Sequence, residues 1–141
     1  MEDLKERIKS NEGFRDTIYK DKLGKATIGY GHLVTPEDNL LPNIQYSKQY
    51  LNELFEKDFD NAVKGSESLI NFQINEQAKK ILIEMVFQLG VGGVSKFKNM
   101  LNCLSKQDYV GASKEMINSN WHKQTPNRCE QLANIMRTIN D

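Results

Sequence analysis

Hydrophobic positions near the N-terminus show helical spacing first and a β-strand pattern after it. Leu4 and Ile8 lie one helical turn apart and predict a short amphipathic helix, which should end at Gly13 because glycine can take the left-handed C′ conformation. The pattern then becomes rich in β-branched and aromatic residues over 17–20 and 25–30, with a glycine-containing turn between them. This arrangement predicts a β-hairpin.

The next segment loses its periodicity before a second helix begins. Residues 35–44 contain two of the three prolines among polar residues, which predicts a loop. Ser47 is then a suitable cap for a helix whose apolar positions recur at helical spacing over 51–63, and Gly65 is its expected stop. This helix is expected to lead from the hairpin region into a second lobe.

The strongest helical pattern in the chain follows Asn75, a good N-cap. Apolar residues over 78–89 form a single stripe, and the glycine-rich segment 90–94 is expected to be a helix–helix turn. Three further short helices are predicted around this central one, over 96–103, 108–118 and 127–138.

Composition and charge restrict the class of protein. The chain has 141 residues, of which 38% are hydrophobic and 27% charged, as in soluble globular domains. The formal net charge is zero, so the balance does not favour nucleic acid or a membrane surface as a partner. Residues 1–73 carry about −3 and residues 74–141 about +3, which favours an anionic polymer at the second half.

The two cysteines and the N-terminal segment indicate the compartment in which the protein is synthesised. Cys103 and Cys129 lack metal-site spacing and are expected to be free thiols, as in a reducing compartment. No apolar signal segment is visible near the N-terminus and no run of eighteen apolar residues occurs. We therefore expect synthesis in a host cytoplasm without a signal peptide, with release by another agent.

Several uncommon motifs occur in a fixed order along the chain, and together they resemble the glycoside hydrolase family of phage lysozymes, which includes the T-even phage endolysins. These motifs are Glu12-Gly13, Tyr19-Lys20-Asp21, the run from Thr27 to Leu33, Glu84-Met85-Val86-Phe87-Gln88, and Trp121 with Gln124-Thr125-Pro126-Asn127-Arg128.

The resemblance implies an α+β lysozyme fold in a single domain. A small lobe with one helix and the hairpin would span about residues 1–46, a connecting helix residues 47–65, and a larger helical lobe residues 66–141. The active site would lie in the cleft between the lobes, without a metal or organic cofactor.

The family places a general-acid glutamate, an aspartate and a threonine at positions that match Glu12, Asp21 and Thr27. A carboxylate at a helix C-terminus faces the negative end of the helix dipole, which should raise its pKa and help it hold a proton. Arg128, which the family pattern brings towards Glu12, would act in the opposite direction.

Asp21 lies between Lys20 and Lys22 in a polar turn, which favours its ionised form. With Thr27 holding a water molecule, Asp21 could deliver that water to the anomeric carbon on the face opposite the proton donor. We therefore predict inversion of configuration, which requires carboxyl groups about 6.5–9.5 Å apart.

Other candidate site residues could have either a functional or a structural role. Gly29 and Gly31 would share a strand face with Thr27 and leave room for a sugar. His32 is expected to orient the hairpin through a hydrogen bond rather than bind metal, since the other histidine, His122, is ninety residues away. The resemblance implies substrate contacts at Leu33, Phe87, Gln88 and Gln124; an ordinary core position is an equally good interpretation of Phe87.

The expected activity is hydrolysis of the β-1,4 bond between N-acetylmuramic acid and N-acetylglucosamine in bacterial peptidoglycan, used by a phage for host-cell lysis. We expect a monomer with no nucleic-acid or membrane partner. Two alternatives stay open: a lytic transglycosylase, which needs no water-activating aspartate, and a non-catalytic peptidoglycan-binding module of a virion.

Overall fold

A computed structural model of the chain describes residues 1–140. Contacts between residues separate the chain into two units, one spanning Met1–Asn61 and the other beginning at Ala62. The boundary falls inside a long helix. The single-domain interpretation with lobe limits at residues 46 and 65 stays a prediction.

The first unit contains a helix, a three-stranded antiparallel sheet in the order β1-β2-β3, a single 3-10 turn and the first part of a second helix. Their bounds are α1 (Glu2–Glu12), β1 (Arg15–Lys20), β2 (Ala26–Gly29), β3 (His32–Leu33), the 3-10 turn (Pro36–Asp38) and α2 (Lys48–Leu69).

The described part of the second unit is entirely helical apart from its connections. After the end of α2 come α3 (Glu76–Ser95), α4 (Lys98–Ser105), α5 (Tyr109–Ile117), α6 (Asn120–Gln124) and α7 (Pro126–Arg137). None of the helices formed by residues 1–140 is both long and apolar enough to cross a membrane.

Helix α1 ends where the sequence predicts. Leu4 and Ile8 are buried, and the Gly13 backbone N–H closes the helix by donating to the Lys9 carbonyl at 2.9 Å. The expected left-handed conformation at Gly13 was wrong: φ is positive at 74°, but ψ is 180°. The chain leaves the helix in an extended direction and enters β1.

The predicted hairpin is confirmed, and the structure adds a third strand. Strands β1 and β2 pair antiparallel, and the connecting turn closes with a hydrogen bond from the Gly24 N–H to the Asp21 carbonyl at 2.9 Å. Strand β3 pairs with β2 through Thr27–Leu33 and Ile28–His32. At two residues it is too short to show the period-two pattern by which strands are recognised.

The core of the first unit forms between α1, the sheet and α2. Burial of each large apolar side chain contributes about 1.5–3 kcal/mol. The fully or nearly fully buried residues are Leu4, Ile8, Ile28, Leu51, Phe55 and Phe59. At the edge of this core the Lys9 ammonium lies 5.1 Å from the Tyr30 ring centroid and 4.9 Å from that of Phe55.

Helix α2 begins as predicted and ends later than predicted. The Ser47 hydroxyl accepts a hydrogen bond from the Tyr50 N–H at 3.1 Å, which confirms the cap. Gly65 does not stop the helix, which continues to Leu69. A Cβ at Gly65 would lie 3.0 Å from Val86 Cγ1 and 3.3 Å from Val91 Cβ, so this glycine permits close packing of α2 against α3.

Helix α3 also departs from the prediction in two ways. The Asn75 cap is confirmed, because its side chain accepts from the backbone N–H groups of Gln77 and Ala78. The apolar residues do not form one stripe, since all six side chains over 81–86 are buried. The expected turn over 90–94 is reduced to a kink at Gly90, with φ 79° and ψ 159°, after which the chain is helical again to Ser95.

The remaining helices pack mainly on each other, with α5 against both α4 and α7. The Ser113 hydroxyl on α5 donates to the Ala133 carbonyl on α7 at 2.9 Å. Both cysteines are free thiols, as predicted. Burial, with a smaller contribution from the Glu130 charge, raises the pKa of the Cys129 thiol to about 11.

We expect Gly65→Ala to lower the free energy of unfolding by about 1 kcal/mol, because overpacking against Val86 and Val91 outweighs the better helix propensity of alanine. Gly92→Ala is the matched control, since a Cβ at this helical glycine meets nothing within 4 Å and should stabilise the protein by about 0.5–1 kcal/mol. Urea unfolding of both variants measures the difference. An equal gain in both would contradict the packing explanation.

Candidate active site

Glu12 is held at the end of α1 beside the turn that joins β2 to β3. It is the last residue of the helix and is half-buried. A Cβ built on Gly31 would collide with the Glu12 carboxyl group, and Gly31 has φ 76°. The carboxyl group therefore lies directly against the backbone of a turn that only glycine fits without strain.

Asp21 is fixed by the turn it initiates. Its Oδ1 atom accepts hydrogen bonds from the Leu23 and Lys25 backbone N–H groups, both at 2.9 Å. Its own N–H donates to the Lys25 carbonyl at 2.9 Å, which continues the hairpin pairing. One carboxylate oxygen thus anchors the side chain, and the other, Oδ2, remains for a different role.

Thr27 lies in the middle of β2 and only 5% of its surface is exposed. Its hydroxyl donates to the Lys25 carbonyl at 2.9 Å. Because the single hydroxyl proton is used there, the oxygen lone pairs are what Thr27 can offer to another molecule. The group is thus positioned as a hydrogen-bond acceptor.

His32 joins three elements of the first unit. Its Nδ1 lies 2.7 Å from Asp58 Oδ2 on α2, and its Nε2 lies 2.9 Å from Asp38 Oδ2 at the end of the 3-10 turn. These contacts confirm the expected hydrogen-bonding role. The bond to Asp58, opposed by burial and assisted by the bond to Asp38, raises the pKa of His32 to about 9.

The two glycines that flank Tyr30 do not form the expected open floor. Strand β2 ends at Gly29, and Gly31 lies in the following turn, so Gly31 does not share a strand face with Thr27. Gly29 is buried, and a Cβ there would lie 3.5 Å from Leu51 Cβ. Leu33, by contrast, is half exposed at 50% and remains available for an apolar contact.

Tyr19 is a residue that sequence reasoning did not single out as part of the site. Its phenol is half-buried in β1, and its pKa is raised by burial and then by the negative charges of Glu12 and Asp21, against the opposing effect of Arg15. Only its place in the Tyr19-Lys20-Asp21 motif could have pointed to it.

The amide of Gln88, on α3, is held by neighbouring helices. Its Oε1 accepts from the Trp121 indole N–H at 3.2 Å, and its Nε2 donates to the Thr125 hydroxyl at 3.2 Å. Phe87 beside it is half-buried. A substrate contact by Gln88 stays a prediction, and it would have to use the remaining lone pair or proton of this fixed amide.

Gln124 is exposed and lines a cavity of about 490 Å³ in the second unit. The same cavity is bordered by the rings of Phe97 and Trp121, which meet edge to face at 6.2 Å, and by Lys96 and Glu115. These residues come from two helices, α5 and α6, and from the connection between α3 and α4, so no local motif could have grouped them.

Arg128 at the start of α7 faces a buried carboxylate. Its Nε lies 3.4 Å from Glu84 Oε2, and the Glu84 side chain is completely inaccessible. Sequence reasoning included Glu84 only as part of a motif. The signal for a special role was available, since Glu84 is the single charged residue in the buried run 81–86.

The first unit therefore holds Glu12, Asp21, Thr27, His32 and Leu33, and the second holds Phe87, Gln88, Gln124 and Arg128. Among residues 1–140 there is no cluster of three or more histidine, cysteine, aspartate or glutamate side chains that could hold a metal ion.

The three-stranded sheet with its preceding helix, followed by a long helix and further helices, defines an α+β fold of the T4 lysozyme type. The class is that of lysozyme-like glycoside hydrolases. The chain belongs to the phage lysozyme family, whose model matches residues 9–137.

Individual relatives agree with this family. The chain is 33% identical to "Probable T4-type lysozyme 1" of Dictyostelium discoideum, over 96% of this chain and 94% of that protein. It is 31% identical to "Pre-baseplate central spike protein Gp5" of Enterobacteria phage T4, over 97% of this chain and 28% of that protein. It is 26% identical to "Peptidoglycan hydrolase gp36" of Pseudomonas phage phiKMV, over 89% of this chain and 14% of that protein.

The raised pKa of His32 predicts a defined pH dependence of stability. Because the folded pKa of about 9 lies above the unfolded value of about 6.5, the stabilisation is complete below pH 6.5 and is lost as the pH rises through 9. The free energy of unfolding should fall by about 3 kcal/mol across this range. Denaturant unfolding at a series of pH values measures it, with His32→Gln as the variant that lacks the decline. Parallel curves for the two proteins would refute the assignment.

The contact between Gly31 and Glu12 predicts a selective loss of activity. Gly31→Ala should reduce the turnover rate in a lysozyme assay about a hundredfold, because a small displacement of a reacting group can cost that much. Gly90→Ala is the control, since Gly90 lies in the second unit and also has a positive φ, 79°, but a Cβ there meets nothing within 4 Å. Both variants bear a similar backbone strain, so equal losses of activity would show that strain alone is responsible.

Proposed function

We propose that this lysozyme is an inverting muramidase that hydrolyses the β-1,4 bond between N-acetylmuramic acid and N-acetylglucosamine in bacterial peptidoglycan, with Glu12 as acid and Asp21 as base. The observation that carries the proposal is the asymmetric anchoring of Asp21. Two backbone N–H groups hold Oδ1, so that Oδ2 can act on a water molecule.

Glu12 would supply the proton. In the proposed step its protonated carboxyl group donates to the glycosidic oxygen while the bond from that oxygen to the anomeric carbon breaks. The carboxyl group lies against Gly31, where the absence of a side chain leaves room for it. Glu12 ends the step as a carboxylate and recovers its proton from solvent.

Asp21 and Thr27 would prepare the nucleophile. A water molecule between them donates one hydrogen bond to Asp21 Oδ2 and another to Thr27 Oγ1, whose own proton is already used in the bond to the Lys25 carbonyl. The water oxygen attacks the anomeric carbon, and Asp21 accepts the released proton. Attack from the face opposite the leaving group inverts the configuration.

The proposal that peptidoglycan is the substrate rests on the charge of the chain and on the name of one relative. The related phage phiKMV protein is named a peptidoglycan hydrolase, and we extend that substrate to this chain. The excess of basic residues in the second half of the sequence suits an anionic polymer. The scheme uses protein carboxyl groups and water throughout, and needs one copy of the chain.

We further propose that a phage uses this activity for host-cell lysis, with the protein made in the host cytoplasm and acting on the cell wall after release. A virion-associated role is the second candidate. It is favoured by the likeness to the phage T4 protein named as a baseplate spike.

The proposed chemistry predicts a single class of products. Mass spectrometry of digests of purified peptidoglycan should show muropeptides with hydrated reducing ends from the wild type and none from Glu12→Gln, because the variant cannot donate the proton. Glu6→Gln, an exposed residue on the same helix, is the control and should be fully active. Anhydro-muropeptides would instead identify a lytic transglycosylase, and tight binding without any product would identify a binding module.

The same digests report the stereochemistry. NMR spectra recorded during the first minutes should show the α-anomer at the new reducing end, which later equilibrates. Initial formation of the β-anomer would contradict the assignment of Asp21 as a base that activates water.

A further inference from the structure

Tyr19 occupies a central position relative to the three proposed catalytic residues. It lies directly opposite Thr27 in the antiparallel pairing of β1 with β2. Side chains of such a pair project from the same face of the sheet, about 5 Å apart. Asp21 follows two residues later, just past the end of β1, where its N–H still pairs with the Lys25 carbonyl at 2.9 Å.

The surroundings of the ring hold it in place. The Arg15 guanidinium lies 4.9 Å from the centroid of the Tyr19 ring, within the range of a cation–π contact. The pairing of β1 with β2 is irregular between these two residues, which bends the strand at this point. The residue is half-buried, so part of the side chain is exposed to solvent.

The charges around the phenol determine its protonation state. Burial and the negative charges of Glu12 and Asp21 raise the pKa of Tyr19 above its usual value of 10, although Arg15 opposes them. The hydroxyl therefore stays neutral throughout the working pH range and can donate a hydrogen bond. The effect of both carboxyl groups also shows that the phenol is within electrostatic reach of the proposed acid and the proposed base.

We propose that Tyr19 is a further substrate-contacting residue, whose hydroxyl donates a hydrogen bond to the sugar held between Glu12 and Asp21. This inference rests on the proposed function, since an inverting hydrolase must place a sugar and a water molecule between those two groups. A ring opposite Thr27 and under the influence of both carboxyl groups borders that space. Arg15 is a positioning residue that fixes the plane of the ring.

A purely structural tyrosine makes a different prediction. If the ring only filled space beside Arg15, phenylalanine would replace it without loss, because the cation–π contact needs the ring and not the hydroxyl. The hydroxyl group alone therefore separates the two interpretations.

The test is Tyr19→Phe, assayed on soluble, uncross-linked glycan strands of defined length so that kcat and KM can be measured separately. We expect a three- to tenfold fall in kcat/KM, on the order expected for one lost hydrogen bond, with most of it in kcat. Tyr50→Phe is the control, because Tyr50 is another half-buried tyrosine of the first unit. Its kinetics should equal those of the wild type.

Thermal unfolding of each variant is recorded in parallel, and rates are corrected for the folded fraction at the assay temperature. A Tyr19→Phe protein with wild-type kcat and KM overturns the inference, as does a loss that disappears after this correction. Glu12→Gln is assayed beside Tyr19→Phe. If Glu12→Gln is active, the proposed function has failed. If Glu12→Gln is inactive and Tyr19→Phe is fully active, only the role of Tyr19 is refuted.

The role of Arg15 follows from a double-mutant cycle. If Arg15 acts by holding the ring, Arg15→Ala should lower kcat, and Tyr19→Phe should cause a smaller further loss in the Arg15→Ala background than in the wild type. Strictly additive losses would show that Arg15 has no effect through Tyr19.

Discussion

The close approach of the Glu12 carboxyl group to the backbone of Gly31 is the constraint on which the rest of the first unit depends. It brings the end of α1 against the turn between β2 and β3, where a side chain at Gly31 would be strained and would displace the carboxyl group. His32 follows immediately and binds Asp58 on α2 and Asp38 in the 3-10 turn. Through these contacts, the adjacent residues Gly31 and His32 connect α1, the sheet, the 3-10 turn and α2.

Local backbone groups determine the orientation of the proposed base and its partner. The turn from Asp21 to Lys25 supplies both N–H donors to Asp21 and the carbonyl acceptor to Thr27. Hydrogen bonds to backbone within a few residues need no distant element to form. The chemistry assigned to this hairpin is therefore encoded in about seven consecutive residues, which explains why this stretch is so recognisable in the sequence.

Features that depend on neighbours in sequence could be predicted, and features that depend on neighbours in space could not. The helix stop at Gly13, the hairpin and the caps at Ser47 and Asn75 follow from local backbone chemistry, and all four are confirmed. The prediction that α2 ends at Gly65 was wrong, because a glycine that ends a helix and one that permits close packing look alike in the sequence.

The same distinction applies to the site. The sequence could nominate Glu12, Asp21 and Thr27 because their motif is ordered along the chain. It could not show that Gly29 faces Leu51, because the strand stops there and the alternation fails. It also gave no reason to select Tyr19, whose relation to Thr27 depends on the strand register.

The pair formed by Glu84 and Arg128 illustrates a polar contact whose main effect is orientation. Removing a carboxylate completely from water costs several kcal/mol, which the attraction of a buried partner often only offsets, so the pair is weak evidence for added stability. What the buried carboxyl group does supply is an acceptor at a fixed place on α3, which the guanidinium at the start of α7 approaches at 3.4 Å. A hydrophobic residue at position 84 would suit the buried run 81–86 but would remove the carboxyl group that Arg128 Nε approaches at 3.4 Å. The cost of burying Glu84 therefore makes sense if the position of Arg128 matters to the protein.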